Sequence, residues 1–245
     1  MIGKLTPLFI LPVFISSCDG AFSGIYDDPP SDSSFKEGFT KNADNRFTLH
    51  VDGTDYSQWT YIDFGSGEMS RVKIPSYLPE NEKWDGKSGW SYQLVEGGRY
   101  TLLSETRTSA QPEPNRWSIA IHHFDVRTNG GEVFETKYKS LDQLPLSSEF
   151  DSERFHKDEW TDNVVMTDLK EMMGYKIGYQ NISVNRLLSG WVKMDFSNPP
   201  PTYETTGHVY IIRFPNGERA AIKLNNYMSG RGSKGYLDIE GIYPY

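Results

Sequence analysis

Short stretches in which apolar and polar residues alternate recur along this chain of 245 residues, and Gly-, Pro- and Asn-containing turns separate them. In residues 47–51 (Phe-Thr-Leu-His-Val) every second side chain is apolar, which is typical of a strand with one buried face. Residues 208–214 and 219–224 are two apolar-rich runs on either side of Pro-Asn-Gly-Glu, which predicts a hairpin. Aromatic residues make up 14% of the chain and also favour strands. We therefore expect an all-β, mostly antiparallel fold with one or two short helices.

Other segments predict local structure less directly. Residues 116–127 predict one strand, with Ala120, His122, Phe124 and Val126 on one face and Ile119, Ile121 and His123 on the other. A short helix is expected within 181–191, where apolar residues follow helical spacing. A helical turn is expected around 166–173, in a region that otherwise predicts long loops.

The N-terminus predicts export and a lipid anchor. The only cysteine, Cys18, directly follows an apolar run at 8–17, and Lys4 supplies a positive charge before that run. The run is too short to cross a bilayer but suits a secretory signal. The Ile-Ser-Ser-Cys sequence resembles a bacterial lipobox, which implies cleavage before Cys18 and lipidation of its sulfur and amine. The alternative is a plain signal peptide followed by an incidental cysteine. The chain then divides into a lipoprotein signal peptide (1–17), a lipidated flexible tether (18–45) and a β domain (46–245).

Composition and motifs exclude several functions. A net charge of −8 argues against nucleic acid as a partner, because phosphate binding needs a basic surface. One cysteine allows no internal disulfide, and its lipidation would leave no thiol for catalysis. The sequence has no Gly-x-Ser-x-Gly, no P-loop and no His-Glu-x-x-His. The acidic residues of 151–168 lack EF-hand spacing and predict a solvated loop, although a glycosidase with two paired carboxylates is a rival hypothesis.

Two groups of side chains are candidate iron ligands. Met172 and Met173, with Met166 nearby, stand out in a polar region, and thioethers are soft ligands that can hold haem iron. The alternative is that these methionines fill a gap in the core. His122 and His123 are adjacent on a predicted strand and cannot grip one ion together, so a structural role is favoured for them.

Five segments together are typical of one protein family. They lie at 56–64, at 117–131 (Trp-Ser-Ile-Ala-Ile-His-His-Phe-Asp-Val-Arg-Thr-Asn-Gly-Gly), from Gly-Trp at 190–191 to Pro-Thr-Tyr at 201–203, at the Pro-Asn-Gly hairpin of 215–217, and from Asn-Asn-Tyr at 225–227 through Gly-Tyr at 235–236 to Tyr-Pro-Tyr at 243–245. Together they resemble the HmuY family of haem-binding lipoproteins, or hemophores. That resemblance implies a single, mostly antiparallel β domain without catalytic activity.

The resemblance also implies a place for haem. Members of the family clamp haem between two axial side chains, histidines in some proteins and methionines in others. One ligand precedes the Gly-Trp strand, which points to Met172 or Met173 and then to Met166. The other follows that strand and falls at Asn198 or Pro199, neither of which is a good ligand for iron. The resemblance therefore yields one set of candidate ligands and leaves the second axial ligand unassigned.

The function implied is an exported lipoprotein that binds haem and passes it to an outer-membrane haem or porphyrin receptor. It would be held at the outer membrane by its N-terminal lipid only, on the periplasmic face or at the cell surface. Tyr and Trp side chains would pack the porphyrin, and thioether ligation should favour ferrous iron. The alternative is a HmuY-like fold that has lost haem ligation and binds another porphyrin, a glycan or a protein partner.

Overall fold

The computed structural model describes residues 32–75, 90–96, 101–108, 110–169, 176–195, 197 and 201–245. The predictions made for Cys18, Met172, Met173 and Asn198 lie outside these residues. The described residues form 17 strands and a single turn of α-helix, α1 (Arg186–Ser189). The strands are β1 Gly38–Lys41, β2 Arg46–Asp52, β3 Gln58–Ile62, β4 Met69–Lys73, β5 Trp90–Glu96, β6 Thr101–Thr108, β7 Ile119–His122, β8 Asp125–Thr128, β9 Glu132–Glu135, β10 His156–Lys157, β11 Glu159–Asp168, β12 Lys176–Val184, β13 Val192–Asp195, β14 Thr202–Thr205, β15 Val209–Arg213, β16 Arg219–Met228 and β17 Lys234–Ile242.

The strands form three sheets and one separate hairpin, and every pairing is antiparallel. Sheet I has seven strands in the order β1-β2-β17-β16-β15-β9-β10. Sheet II has the order β4-β3-β7-β8, and sheet III has the order β11-β12-β5-β6. Among the described strands, β13 and β14 pair only with each other. The all-β prediction is confirmed, and residues 209–228 form the expected hairpin of β15 and β16.

Sheet II is the middle layer, because its two faces contribute to two different cores. On one face Ile62 and Ile121 belong to a cluster that includes Leu49 and Leu237 of sheet I. The opposite face contributes Trp59, Tyr61 and Ala120, which pack with Val165, Ile182 and Val184 of sheet III. The period-two alternation of a strand places neighbouring residues on opposite faces, so one strand can serve both cores.

The fold begins earlier than the predicted boundary at residue 46. Strand β1 pairs with β2 along its whole length, and Phe39 stacks on Phe47 with ring centroids 4.8 Å apart. Before that strand, the backbone N–H of the buried Asp32 donates to the hydroxyl of Tyr236 over 2.7 Å. The assignment of residues 32–45 to a flexible tether is therefore corrected. A strand of four residues with only one large apolar side chain gives too weak a pattern to recognise.

Residues 116–127 are not one strand. The chain reverses after β7, and His123 adopts a left-handed backbone with φ of 50°. Strand β8 then returns beside β7, with Ile119 opposite Thr128. The expectation of one continuous strand through His123 was wrong, and the turn contains no Gly or Pro to mark it.

The short helix expected within 181–191 is confirmed as α1, whereas Asn181 to Val184 belong to β12. The region around Met166 was predicted to be a helical turn, but Met166 lies within β11. Residues 170–175 lie outside the described part of the chain.

Candidate functional site

Met166 is carried by the hairpin of β11 and β12. It lies opposite Tyr179 and is half-buried, whereas its neighbour Val165 is completely buried in the core beneath sheet III. Since consecutive residues of a strand point to opposite faces, Met166 lies on the face of sheet III that turns away from sheet II. This thioether therefore does not fill a gap in that core.

Strand β11 is irregular on both sides of Met166. Its register against β12 shifts between Thr161 and Val165 and again between Met166 and Asp168. Asn163 has a φ of 58°, a backbone conformation that is rare for residues other than glycine. Bulges of this kind redirect side chains and are frequent next to binding sites.

The second predicted position, Asn198, is outside the described residues and falls in the sequence between β13 and β14. After β13 the backbone N–H of Ser197 donates to the Asp195 carboxylate over 2.8 Å. Met194, opposite Tyr203 on this hairpin, is 41% exposed. The sequence reasoning missed Met194 because an apolar residue in a short strand is expected to be buried.

Helix α1 joins the two hairpins and is fixed by buried hydrogen bonds. The side chain of Asn185 accepts from the N–H of Leu188 over 3.0 Å and donates to the carbonyl of His156 over 2.8 Å. Its backbone N–H donates to the carbonyl of Val126, and the Ser189 hydroxyl accepts from the Val126 N–H. Asn185 is fully buried. Helix α1 and Asn185 thus attach both the β11–β12 hairpin and the β13–β14 hairpin to the β7–β8 hairpin.

Aromatic side chains gather where the β7–β8 turn meets β14 and β16. We call His123, Phe124, Tyr203 and Tyr227 the aromatic cluster. The rings of Tyr203 and Tyr227 are 6.2 Å apart, and the Tyr227 hydroxyl donates to the Tyr203 carbonyl over 3.0 Å. Phe124 lies 6.4 Å and 6.0 Å from these two rings. The ammonium of Lys234 is 4.1 Å from the Tyr203 ring centre. The aromatic cluster and the Lys234 ammonium therefore place a flat apolar surface and a positive charge beside β14.

The two adjacent histidines have structural partners. His122 is 1% exposed, and its Nε2 lies 2.9 Å from the carbonyl of Tyr56, to which it donates. Nδ1 of His123 lies 3.2 Å from the carbonyl of Gly53, and burial lowers the pKa of His123 to about 3. Burial also raises the pKa of Asp125, which lies 3.9 Å from the other ring nitrogen of His122. These contacts fit the structural role favoured from the sequence.

The acidic residues do not assemble a metal centre among the described residues, where no group of three or more His, Cys, Asp and Glu side chains converges. Asp158 is engaged with Thr128, whose N–H and hydroxyl donate to its carboxylate over 2.7 Å and 2.9 Å. Burial raises the pKa of Asp158. This carboxylate fixes the end of β8 in place. In the described part of the chain, no helix is long and apolar enough to cross a membrane.

A family model described as HmuY protein matches residues 55–240. The chain belongs to the HmuY family. This confirms the resemblance seen in the sequence and supports a haem-binding role at the level of the family, whose members bind and transport rather than catalyse. No curated protein matches the chain.

Solved structures agree with this assignment. A candidate lipoprotein from Bacteroides fragilis is 31% identical, with a TM-score of 0.66 over 88% of this chain and 99% of that chain. A candidate HmuY-like haem-binding protein from Bacteroides vulgatus is 30% identical, with a TM-score of 0.64 over 86% and 99% of the two chains. The apo HmuY analogue of Tannerella forsythia is 22% identical, with a TM-score of 0.62 over 85% and 97%, and shares the fold.

Proposed function

We propose that this protein is an exported lipoprotein that binds haem between its β11–β12 and β13–β14 hairpins and passes it to an outer-membrane uptake system. The β11–β12 hairpin supplies one axial ligand from Met172, Met173 or Met166. Met194 supplies the second, in place of the unsuitable Asn198. Lipid on Cys18 holds the protein at the outer membrane, on the periplasmic face or at the cell surface.

The observation that carries this proposal is the exposure of Met194 on one of two hairpins that share an anchor. Burial of a methionine side chain stabilises a protein by about 1.5–3 kcal/mol, so an exposed one forgoes that stabilisation. Met166 lies on the other hairpin and outside the core beneath sheet III. Sulfur ligands on two hairpins with a common base are the donor set that a clamp for haem iron requires.

The surroundings are chemically suited to haem. When bound, haem supplies an iron atom with two axial coordination positions, an apolar ring and two carboxylates. The thioethers hold the iron, and the partly buried rings of Tyr203 and Tyr227 give an apolar wall. Lys234 can pair with a carboxylate. Thioethers prefer the softer ion, so ferrous haem should bind more tightly than ferric haem.

A haem titration of the full chain in detergent, followed by absorbance in the ferric and ferrous states, tests the proposal. Met194→Leu and the double variant Met172→Leu/Met173→Leu remove sulfur while nearly conserving volume. The single variant Met166→Leu tests the remaining candidate. Met69→Leu is the matched control, because Met69 lies on β4 and packs against the core between sheets I and II.

The expected result is saturable one-to-one binding with a Soret shift that is larger in the reduced state. Met194→Leu and one of the β11–β12 variants should each lose the two-ligand spectrum, while Met69→Leu keeps it. No shift in either redox state overturns the proposal and favours the alternative of a fold that has lost haem ligation. Iron-free protoporphyrin, followed by its fluorescence, is then the next ligand to titrate. A two-ligand spectrum that survives Met194→Leu refutes the assignment of Met194 alone.

A further inference from the structure

A groove of about 610 Å³ opens at the end of sheet I that lies away from the aromatic cluster. Strand β2 begins there at Arg46 and β17 ends there, whereas the opposite end of β17 carries Lys234 and contacts His123. The walls come from β1, from the turn after β3 and from Tyr243 and Pro244 near the C-terminus. Its volume is in the range of small-molecule sites. The groove is therefore separate from the candidate haem site.

The floor of the groove is a layer of packed aromatic rings. Phe64 lies at its centre and is buried. The half-buried rings of Phe39 and Tyr243 lie 6.4 Å and 5.8 Å from Phe64, and Phe47 stacks beneath Phe39. Phe39 and Tyr243 thus present two supported ring surfaces to the groove.

The rim carries both signs of charge in near balance. Arg116, whose side chain is 82% exposed, lies 3.7 Å from the Asp63 carboxylate. Arg46 pairs with Asp142, and the Lys41 ammonium donates to a backbone carbonyl. Arg46 and Arg116 each have a carboxylate partner and Lys41 has a carbonyl partner, so an anionic ligand would have to compete with these existing contacts.

The walls are held together before any ligand arrives. The Asn45 side chain donates to the Pro244 carbonyl over 3.2 Å, and the Asn45 carbonyl accepts from the Tyr243 N–H over 2.8 Å. The Tyr243 hydroxyl donates to Glu218, and this bond lowers the pKa of the Glu218 carboxyl. A preformed groove does not have to be ordered on binding, which favours affinity.

We propose that this groove binds a neutral oligosaccharide. Sugar hydroxyls both donate and accept, so they suit a rim that mixes guanidinium donors, amides and carboxylate acceptors. The C–H faces of a sugar ring are apolar and can pack on Phe39 and Tyr243. A porphyrin fits poorly here, because most of its surface is apolar whereas most side chains that line the groove are charged or amides.

The proposal is tested with an array of neutral trisaccharides built from glucose, galactose, mannose and N-acetylglucosamine, with sialylated and sulfated counterparts. The full chain is applied in a detergent that has no sugar headgroup. Arg116→Ala removes an exposed charged donor, and Phe39→Leu removes a ring face while keeping apolar contact with Phe47. Arg154→Ala, which lies outside the groove, is the matched control.

The expected result is binding to at least one class of neutral trisaccharide. Arg116→Ala should weaken this binding about tenfold or more, because it removes a hydrogen bond from a charged group. Phe39→Leu should weaken the same class, and Arg154→Ala should not. Haem binding should be equal in all four proteins, because the groove and the candidate haem site are separate. The proposal is overturned if no neutral glycan binds, if only charged glycans bind, or if the two groove variants bind like the control.

Discussion

The indole nitrogen of Trp191 donates a hydrogen bond to the backbone carbonyl of Phe124 over 3.1 Å. Trp191 is fully buried just before β13, and Phe124 follows the left-handed residue His123 in the β7–β8 turn. The bond therefore joins the base of the candidate clamp to the middle layer of the fold. The Trp191 bond fixes the chain after α1, and the hydrogen bonds of Asn185 fix the chain before α1.

Replacing Trp191 by Phe should lower the free energy of unfolding by about 3 kcal/mol, because it leaves a buried carbonyl without this donor and removes buried ring volume. Urea unfolding followed by circular dichroism measures the loss. Trp160→Phe is the matched control, since Trp160 is 52% exposed on β11 and should change stability by less than about 0.5 kcal/mol. Equal losses in the two variants would contradict a special role for the Trp191 bond.

Gly241→Ala should be severely destabilising. A Cβ atom at Gly241 would lie 2.2 Å from the ring of Phe47 and 2.9 Å from the carbonyl of Ala221, so both a core ring and a backbone strand would have to move. Overpacking of this kind costs about 1–3 kcal/mol or more. Gly38→Ala, on the edge strand, meets nothing within 4 Å and should stay near the parent. Thermal unfolding of both variants checks the difference, and similar midpoints would refute the clash.

A chain that begins at residue 46 should be less stable than one that begins at Asp32. It lacks β1 and so loses the contact of Phe39 with Phe47, which together should cost about 2–3 kcal/mol. Urea unfolding of the two chains measures this cost. Identical stability would return the boundary to the position predicted from sequence.

The stability of the fold should depend on His123 in mildly acidic solution. Burial lowers the pKa of His123 from 6.5 to about 3, so between these values the unfolded chain binds a proton that the folded protein does not. Stability should therefore fall as pH decreases through this window, with no contribution from His123 above pH of about 6.5.

His123→Asn removes the titrating group and keeps a residue that tolerates positive φ. From pH 7 to pH 4 the parent should lose about 3 kcal/mol more stability than this variant. Urea unfolding at the two pH values gives that difference. Asp125 and Asp158, whose pKa values are raised, act in the opposite sense but are common to both proteins. Parallel pH profiles would contradict the prediction.

Local signals were sufficient where pattern and turn chemistry agree. The β15–β16 hairpin was predictable because apolar-rich runs on both sides meet a Pro-Asn-Gly turn, in which Gly217 has a φ of 85°. At His123 the same φ region is occupied by a residue that is neither Gly nor Pro and so gives no turn signal. The sequence therefore indicates strands in both places but a reversal in only one.

The candidate site was harder to predict, because exposure depends on distant packing. Alternation in β11 is interrupted at Asn163, so no period of two shows Met166 to be in a strand. Met194 is an apolar residue whose exposure follows from β13 and β14 having no other sheet partner. Neither fact is encoded in neighbouring residues. The family resemblance located the segments concerned but did not indicate Met194.

The hydrogen bond between Asp32 and Tyr236 fixes the point at which the chain enters the domain, and so limits how far the domain can lie from an N-terminal anchor. Arg231, 3.8 Å from Asp32, lies in the turn between β16 and β17 that also carries Lys234 toward Tyr203. The chain thus enters the domain at the end that holds the aromatic cluster. Fourteen residue steps separate a lipid on Cys18 from Asp32, and an extended chain spans at most about 50 Å over that distance. An anchored molecule would keep its candidate haem end within that radius of the bilayer, with the glycan groove at the far end of sheet I.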